Sequence, residues 1–423
     1  MIRFYNGKTL LYKNGKFEIT SDEVWVDGKV ISYVGAEDKT KKFDREIDLR
    51  GNLLMPGFKN AHTHSAMTFL RSFADDLPLK DWLFKQVFPM EAKLTGDHIY
   101  ELTKLAILEY LSSGITASFD MYLKNEPYAA ANVDCGFKTV ICGSTSGSDL
   151  KEVEALENDF NKYNSYDPLV SFILGFHAEY TTDKTVIGAI GELARKYKAP
   201  VFTHLSETEN EVNECIERHG LTPPALLDSL GVYDFGGGGY HCVHMTSEDI
   251  DLFKRKNLFA VSCPASNMKL SSGIAPIQKY LDSSVRVALG TDGPASNNCL
   301  DMFREMFLVT ALQKVSLLDP AATPAGEVLK MATVNGAHAM GLYDADVIEK
   351  GKRADLTVID LNTPNMQPQN NIVKNLVYSG SKANVKLTMV DGRILYENGE
   401  YFVGESVDKI YENANNIIKS LSK

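Results

Sequence analysis

The sequence predicts an α/β fold: a (β/α)8 (TIM) barrel of parallel strands, joined to a small β domain built from both chain ends. Three observations carry this. From about residue 57 to 346, eight short apolar runs alternate with amphipathic helical stretches. Turn-rich β sequence occupies both ends of the chain. Six of the nine histidines fall near the carboxyl ends of the predicted strands, where a parallel barrel places its chemistry.

The N-terminal segment reads as β. Asn-Gly in Tyr5–Lys8 and Lys13–Lys16, and Asp-Gly in Val24–Ile31, favour the φ > 0 pair of a type I′ hairpin. Leu387–Leu395 repeats the pattern around Asp391-Gly392. Short hairpins bury no core alone. Residues 1–56 and 347–423 are therefore expected to pair into one composite domain, with a terminal helix at Val407–Leu421 and residues 57–346 inserted as the barrel.

The expected barrel strands are the run ending at His64, then Ile115–Asp120, Thr139–Gly143, Leu169–His177, Pro200–His204, Tyr240–His244, Phe259–Cys263 and Val285–Asp292. Helical stretches lie between most of them, among them Asp97–Ser112, Thr185–Lys198, Glu207–His219 and Asp301–Lys314. Repeated β-then-α units imply a parallel sheet, and eight of them imply closure. A doubly wound open sheet is the alternative. Against it, no Gly-x-Gly-x-x-Gly follows a strand, and the Gly236–Gly239 run precedes one.

Composition narrows the function. The 44% apolar and 23% charged residues are those of an ordinary soluble globular protein. A net charge of −11 argues against a nucleic-acid surface. No apolar run approaches the ~20 residues that span a bilayer, and Met1–Gly7 reads as a strand rather than a leader. Six cysteines without a Cys-x-x-Cys pair are expected to be reduced thiols, in a cytoplasmic protein. The expected partner is a small molecule, with homo-oligomerisation open.

The chemistry begins at Asn60-Ala61-His62-Thr63-His64. On an extended strand His62 and His64 leave the backbone on one side, where two imidazoles can hold a borderline metal such as zinc. Alone, the pair is a weak signal that equally describes two surface or core histidines. Its companions at other strand ends change that: His177, His204, His241, His244 and Asp292. Chance would scatter them over helices, as it does His98, His219 and His338. A catalytic mononuclear site needs three or four protein ligands and room for water. His62, His64, His204 and Asp292 are assigned as ligands. Glu207, just after His204, is placed to act as general acid/base; the competing reading is a carboxylate favoured by a helix N-terminus. His241 polarises the substrate or orients the nucleophile, or is a satisfied core histidine. His244 is read as structural, and Cys242 and Cys263 as small core residues.

Several stretches form a pattern together: Met55-Pro56-Gly57-Phe58 with Ala61–His64; Leu79-Lys80-Asp81-Trp82-Leu83 with Pro89-x-Glu91; and His204-Leu205-Ser206-Glu207-Thr208. To these are added His241-Cys242-Val243-His244, Pro264-Ala265-Ser266-Asn267, Leu289-Gly290-Thr291-Asp292-Gly293 and Ala354-Asp355-Leu356. The chain resembles the amidohydrolase superfamily, within the branch of methylthioadenosine/S-adenosylhomocysteine deaminases and triazine hydrolases. The resemblance implies a distorted barrel with a composite β-sandwich of both termini. It places the metal on His62, His64, His204 and Asp292, with Glu207 as acid/base and His241 as electrophile. It puts substrate contacts at Glu91 and His177, with Trp82 near them.

The implied reaction is hydrolytic deamination of an aminated heteroaromatic ring. Glu207 or Asp292 takes a proton from water, the resulting hydroxide attacks the ring carbon that bears the amine, Glu207 protonates the ring nitrogen, and ammonia leaves. Binuclear relatives carry a carboxylated lysine at the end of the fourth strand. Leu174–Tyr180 has no lysine, so one divalent metal is expected, Zn2+ before Fe2+, Ni2+ or Mn2+. Members that accept the amino-acid tail of S-adenosylhomocysteine place arginines after the third strand. Thr139–Glu152 has only Lys151, and offers Ser144, Thr145, Ser146, Ser148 and Asp149 instead. The expected substrate is therefore a neutral adenine nucleoside (5′-methylthioadenosine, 5′-deoxyadenosine or adenosine), giving ammonia and the inosine-type product. The alternatives are guanine or another aminated heterocycle, a triazine-type chloride displacement, or a metal-binding protein without catalysis. Glu207 beside four ligands argues against the last, because a structural site closes its coordination sphere.

Overall fold

Strands buried on both faces are read from unbroken apolar runs. The structure, a computed structural model, describes residues 1–38, 40–77 and 81–421. Leu79 and Lys80 of the motif above lie outside the described residues. Eight parallel strands form one sheet in chain order: β1 (Phe58–Thr63), β2 (Ile115–Met121), β3 (Lys138–Cys142), β4 (Val170–Ala178), β5 (Val201–Leu205), β6 (Gly237–His241), β7 (Phe259–Ser262) and β8 (Arg286–Leu289). The sheet curls until its ends meet. Beyond β8, the N–H of Asp292 donates to the His62 carbonyl at 3.0 Å, and that of Thr291 to Asn60 Oδ1 at 2.8 Å. Register shifts between β1 and β2 and between β4 and β5 distort the barrel. The expected (β/α)8 fold is present.

Strands β2 to β5 and β7 start and end within one residue of expectation, and β8 starts within one residue but ends at Leu289, short of Asp292. Strand β6 does not match: it is expected at Tyr240–His244 and runs over Gly237–His241, so three glycines of the Gly236–Gly239 run lie inside it. The cause is crowding between staves. A Cβ on Gly237, whose φ is +119°, would lie 1.9 Å from the Val201 carbonyl oxygen, and one on Gly238 2.2 Å from that of Phe259. Gly237→Ala is expected to destabilise the protein by about 1–3 kcal/mol or more, read as a lower urea midpoint.

Helices pack outside the strands, and several begin at a side-chain cap. Thr208 accepts the N–H of Glu211 at 3.2 Å, so the helix expected from Glu207 starts at Glu209, and Glu207 stands in the turn before the cap. The terminal helix spans Val407–Leu421 as expected. Among the described residues, no helix is long and apolar enough to cross a membrane.

Two further sheets come from the chain ends. Ile2–Tyr5, Glu23–Asp27, Val30–Gly35 and Arg45–Asp48 form a four-stranded sheet. The seven-stranded sheet mixes both ends: Leu53–Pro56 lies between Lys8–Lys13 and the antiparallel Leu356–Ile359, which continues into Val385–Val390 and Arg393–Glu397. Phe4, Val24 and Val26 of one sheet share a core with Leu11, Leu54, Leu356 and Met389 of the other. Two hairpins turn as expected, at Asn14-Gly15 (φ 50° and 78°) and Asp391-Gly392 (φ 47° and 75°). The third turns one residue later, at Gly28-Lys29, with Asp27 opposite Val30. Asn6-Gly7 is no hairpin. It carries the chain from one sheet to the other, and a Cβ on Gly7 would meet that of Leu49 at 2.4 Å.

Candidate active site

The barrel's carboxyl face gathers the side chains that its strands end on. His62 is the penultimate residue of β1, and His64 follows that strand; His204 is the penultimate residue of β5, His241 closes β6, and Asp292 lies three residues beyond β8. Asp292 Oδ1 lies 3.5 Å from His62 Nε2 and 3.2 Å from His64 Nε2, and the Nε2 atoms of His64 and His204 are 3.3 Å apart. Ligand atoms of His62, His204 and His241 also lie within 4.8 Å of one another.

These residues fit a metal ion. Both ring nitrogens of His62 are buried without a hydrogen-bond partner, and the ring stacks on Tyr240 at 3.7 Å between centroids. His64 Nδ1 faces the Met121 carbonyl at 2.5 Å, and His204 Nδ1 that of His177 at 2.7 Å. With Nδ1–H donating to a carbonyl, each Nε2 offers a lone pair once its ring is neutral. At His64 burial is outweighed by the Asp292 carboxylate, which raises the ring to about 9, and a bound cation would displace the second proton. Two Nε2 atoms 3.3 Å apart, beside a carboxylate and an unpartnered imidazole, make a donor set for a divalent cation. Burial pushes the Asp292 carboxyl up, but the His62 and His64 contacts outweigh it and hold the carboxyl well below its usual range. Ser266 Oγ (2.5 Å), Ser296 Oγ (2.8 Å) and the Gly293 N–H (2.8 Å) also donate to this carboxylate. Burial lowers His62 to about 3, against the pull of Asp292, so its ring is neutral.

Glu207 and His241 face each other beside this set, Oε2 to Nε2 at 3.9 Å. His241 Nδ1 is held by Asn267 Oδ1 at 2.8 Å, and Ser272 Oγ donates to Glu207 Oε1 at 3.1 Å. Burial raises the Glu207 carboxyl while His241 pulls it down. A carboxyl poised in this way can both take and give a proton.

A cavity of about 460 Å³ opens onto these groups. Trp82, Glu91 and His177, the expected substrate contacts, all line it, as do His64, His204, Glu207, His241 and Asp292. Trp82 sits on the π-helical turn Trp82–Val87, which runs into the short helix Phe88–Glu91. Burial pushes Glu91 up to about 7, and its Oε1 has no partner. Burial, helped by His64, lowers His177 to about 4. Phe84, Phe88, Met67, Leu83 and Leu270 make much of the wall apolar.

Of the five polar residues expected after β3, Ser144 and Ser146 reach the wall, whereas Ser148 and Asp149 are exposed and outside it. The Asp149 carboxylate turns back to accept the Lys151 N–H at 2.9 Å, and Thr145 is buried with its carbonyl bonded to the His177 N–H. Asp149 thus sets no charge in the cavity. His244 Nε2 contacts the Ser272 carbonyl at 2.7 Å, and Cys242 and Cys263 are buried. Asn267, Ser272 and Tyr240 were given no role from the sequence. Asn267 alone carried a signal, sitting in the Pro264–Asn267 stretch beyond β7.

A parallel barrel that gathers imidazoles and one carboxylate at its C-terminal mouth is the frame of a metal-dependent hydrolase. Comparison with known proteins makes this specific. Residues 53–395 match the model of the amidohydrolase family. The chain is 37% identical over 406 residues to a 5-methylthioadenosine/S-adenosylhomocysteine deaminase of Thermoanaerobacter pseudethanolicus, covering 94% of each. An adenosine deaminase from Xanthomonas campestris, solved with bound zinc, superposes with a TM-score of 0.94 at 31% identity, over 100% of this chain and 98% of that one. A zinc complex of atrazine chlorohydrolase from Arthrobacter aurescens TC1 shares the fold, with a TM-score of 0.91 at 22% identity over 99% and 100% of the two chains. The chain belongs to the amidohydrolase family. It is a hydrolytic deaminase acting on C–N bonds.

Proposed function

We propose that this enzyme deaminates neutral adenine nucleosides (5′-methylthioadenosine, 5′-deoxyadenosine or adenosine) to the inosine-type product and ammonia. One observation carries the substrate reading: among the described residues that line the cavity there is no lysine or arginine. A carboxylate taken into a partly buried pocket needs a cationic partner, best a guanidinium fork. The names of relatives support the adenine ring, and the apolar wall supports a tail without charge. With its six cysteines all free, we place the enzyme in a reducing, cytoplasmic setting.

In this reading His62, His64, His204 and Asp292 hold one divalent ion, zinc before iron, nickel or manganese. Such an ion supplies Lewis-acid activation of water. Glu207 accepts the proton that water loses and delivers it to the ring nitrogen beside the amine-bearing carbon. His241, its Nδ1 fixed by Asn267, points Nε2 at the oxygen that develops on that carbon. The proton left on that oxygen passes to the amine, by way of Glu207, and the C–N bond breaks to release ammonia and leave the carbonyl of the product. Glu91 Oε1, buried without a partner, is an acceptor kept for a substrate hydroxyl, and His177 and Trp82 bound the same space.

Parallel kinetics on these nucleosides and on S-adenosylhomocysteine test the proposal. A missing charge-assisted contact is worth about 1.5–3 kcal/mol, so the neutral nucleosides should show a kcat/KM about tenfold higher or more. Equal or better use of S-adenosylhomocysteine refutes the charge argument, and no activity on any adenine nucleoside moves the enzyme to another ring.

A further inference from the structure

Glu211 is the third residue of the helix Glu209–His219, capped by Thr208. Thr-x-x-Glu at a helix start is ordinarily a capping box, in which the glutamate accepts the N–H of the cap residue itself. Here the carboxylate, besides facing the Thr208 N–H, reaches further back. Its Oε1 accepts the N–H of Ser206 at 2.7 Å, and its Oε2 that of Glu207 at 2.8 Å. Those two amides have neither strand nor helix to serve them, since β5 ends at Leu205 and the helix starts at Glu209. Ser206 is buried in the left-handed region, φ 49°, a conformation that a non-glycine residue holds only when its surroundings fix it. Glu211 is itself buried, so its carboxylate is committed to this turn.

The same turn carries a second load. The Ser206 carbonyl accepts the N–H groups of Val243 (3.0 Å) and His244 (2.9 Å), and the Leu205 carbonyl that of Cys242 (3.0 Å). These bonds hold the turn that follows His241, itself at φ 69°.

We infer that Glu211 is a positioning residue: by clamping the Ser206 and Glu207 amides it aims the Glu207 carboxylate and, through the Ser206 carbonyl, steadies His241 opposite it. The inference rests on the reading of Glu207 as the acid/base. A glutamine at 211 keeps the shape but offers one acceptor, and sets an N–H donor against the other amide.

The test is a double-mutant cycle on the metal-loaded enzyme with the nucleoside it turns over best: wild type, Glu211→Gln, Glu207→Gln and both together. Glu211→Gln is expected to lower kcat about 10- to 100-fold, with KM within about twofold and metal content unchanged. Added to Glu207→Gln, it is expected to cost at least about threefold less in rate than it does in the wild type, because the share that passes through Glu207 is already lost and only the share that passes through His241 remains. An equal loss in both backgrounds, or a wild-type kcat in Glu211→Gln, overturns the inference. Should Glu211→Gln fail to fold, Glu211→Asp keeps both oxygens, draws them back by one methylene, and is held to the same criteria. Full turnover in Glu207→Gln would remove the acid/base reading beneath this one. A dead Glu207→Gln beside an unaffected Glu211→Gln would remove this inference alone.

Discussion

Glu207→Gln is expected to keep its fold and its metal while losing about 10²- to 10⁴-fold in kcat, the share that a positioned acid/base supplies. The substitution changes little else. The amide oxygen can still accept the Ser272 hydroxyl that now bonds Oε1 at 3.1 Å, and the side chain occupies the same volume. What disappears is the capacity to take a proton and return it. An amide has no pKa near neutrality, whereas burial raises the carboxyl at this position. Elemental analysis beside steady-state kinetics separates the outcomes. Metal lost in proportion to activity would make Glu207 a ligand or a scaffold residue.

Asp292→Ala is expected to fail differently, losing metal and activity together. The carboxylate contributes the sole anionic donor among the proposed ligands, and its Oδ1 lies between the His62 and His64 rings. Removal also strands donors that now converge on it: the Ser266 and Ser296 hydroxyls and the Gly293 amide. A buried donor left without an acceptor costs about 1–3 kcal/mol. The variant should therefore melt lower even before its metal is counted. Two metal ions per wild-type chain, or active protein with none, would overturn the proposed mononuclear site.

The two variants probe features that the sequence exposed to different degrees. The histidines were legible because residue type and position agreed: imidazoles recurred where predicted strands ended, and the barrel brings those ends together. Strands β2 to β5 were legible because their apolar, β-branched runs are what a doubly buried strand requires. Strand β6 was not. Glycine has low strand propensity, and the reason for three glycines there is the nearness of Val201 to Gly237, of Phe259 to Gly238 and of Leu205 to Gly239, which only the closed barrel creates. Asn6-Gly7 has hairpin composition, but the next strand pairs in the other sheet, a choice made by tertiary packing. Asp149 was legible as a charge near the site, not in its direction. Glu211 was not singled out in the sequence: its spacing from Thr208 is that of a common helix start, and nothing in that spacing tells which amides the carboxylate will reach.

The seven-stranded sheet also sets a timetable for synthesis. Leu53–Pro56 leaves the ribosome early, but its partner Leu356–Ile359 follows some 300 residues later, roughly 15–60 s at about 5–20 residues per second. Lys8–Lys13 can cover one side of it meanwhile, by the parallel pairing of Lys8 with Leu53. The other side is an open edge, a template for any neighbouring nascent chain on the same polysome. Holdase chaperones would find their demand there, over Leu53–Pro56, throughout translation of the barrel. Rearranging the gene so that the segment from 347 onward precedes residue 1 would turn this pairing into an early, nearby event, and shorten the interval in which the edge stands open.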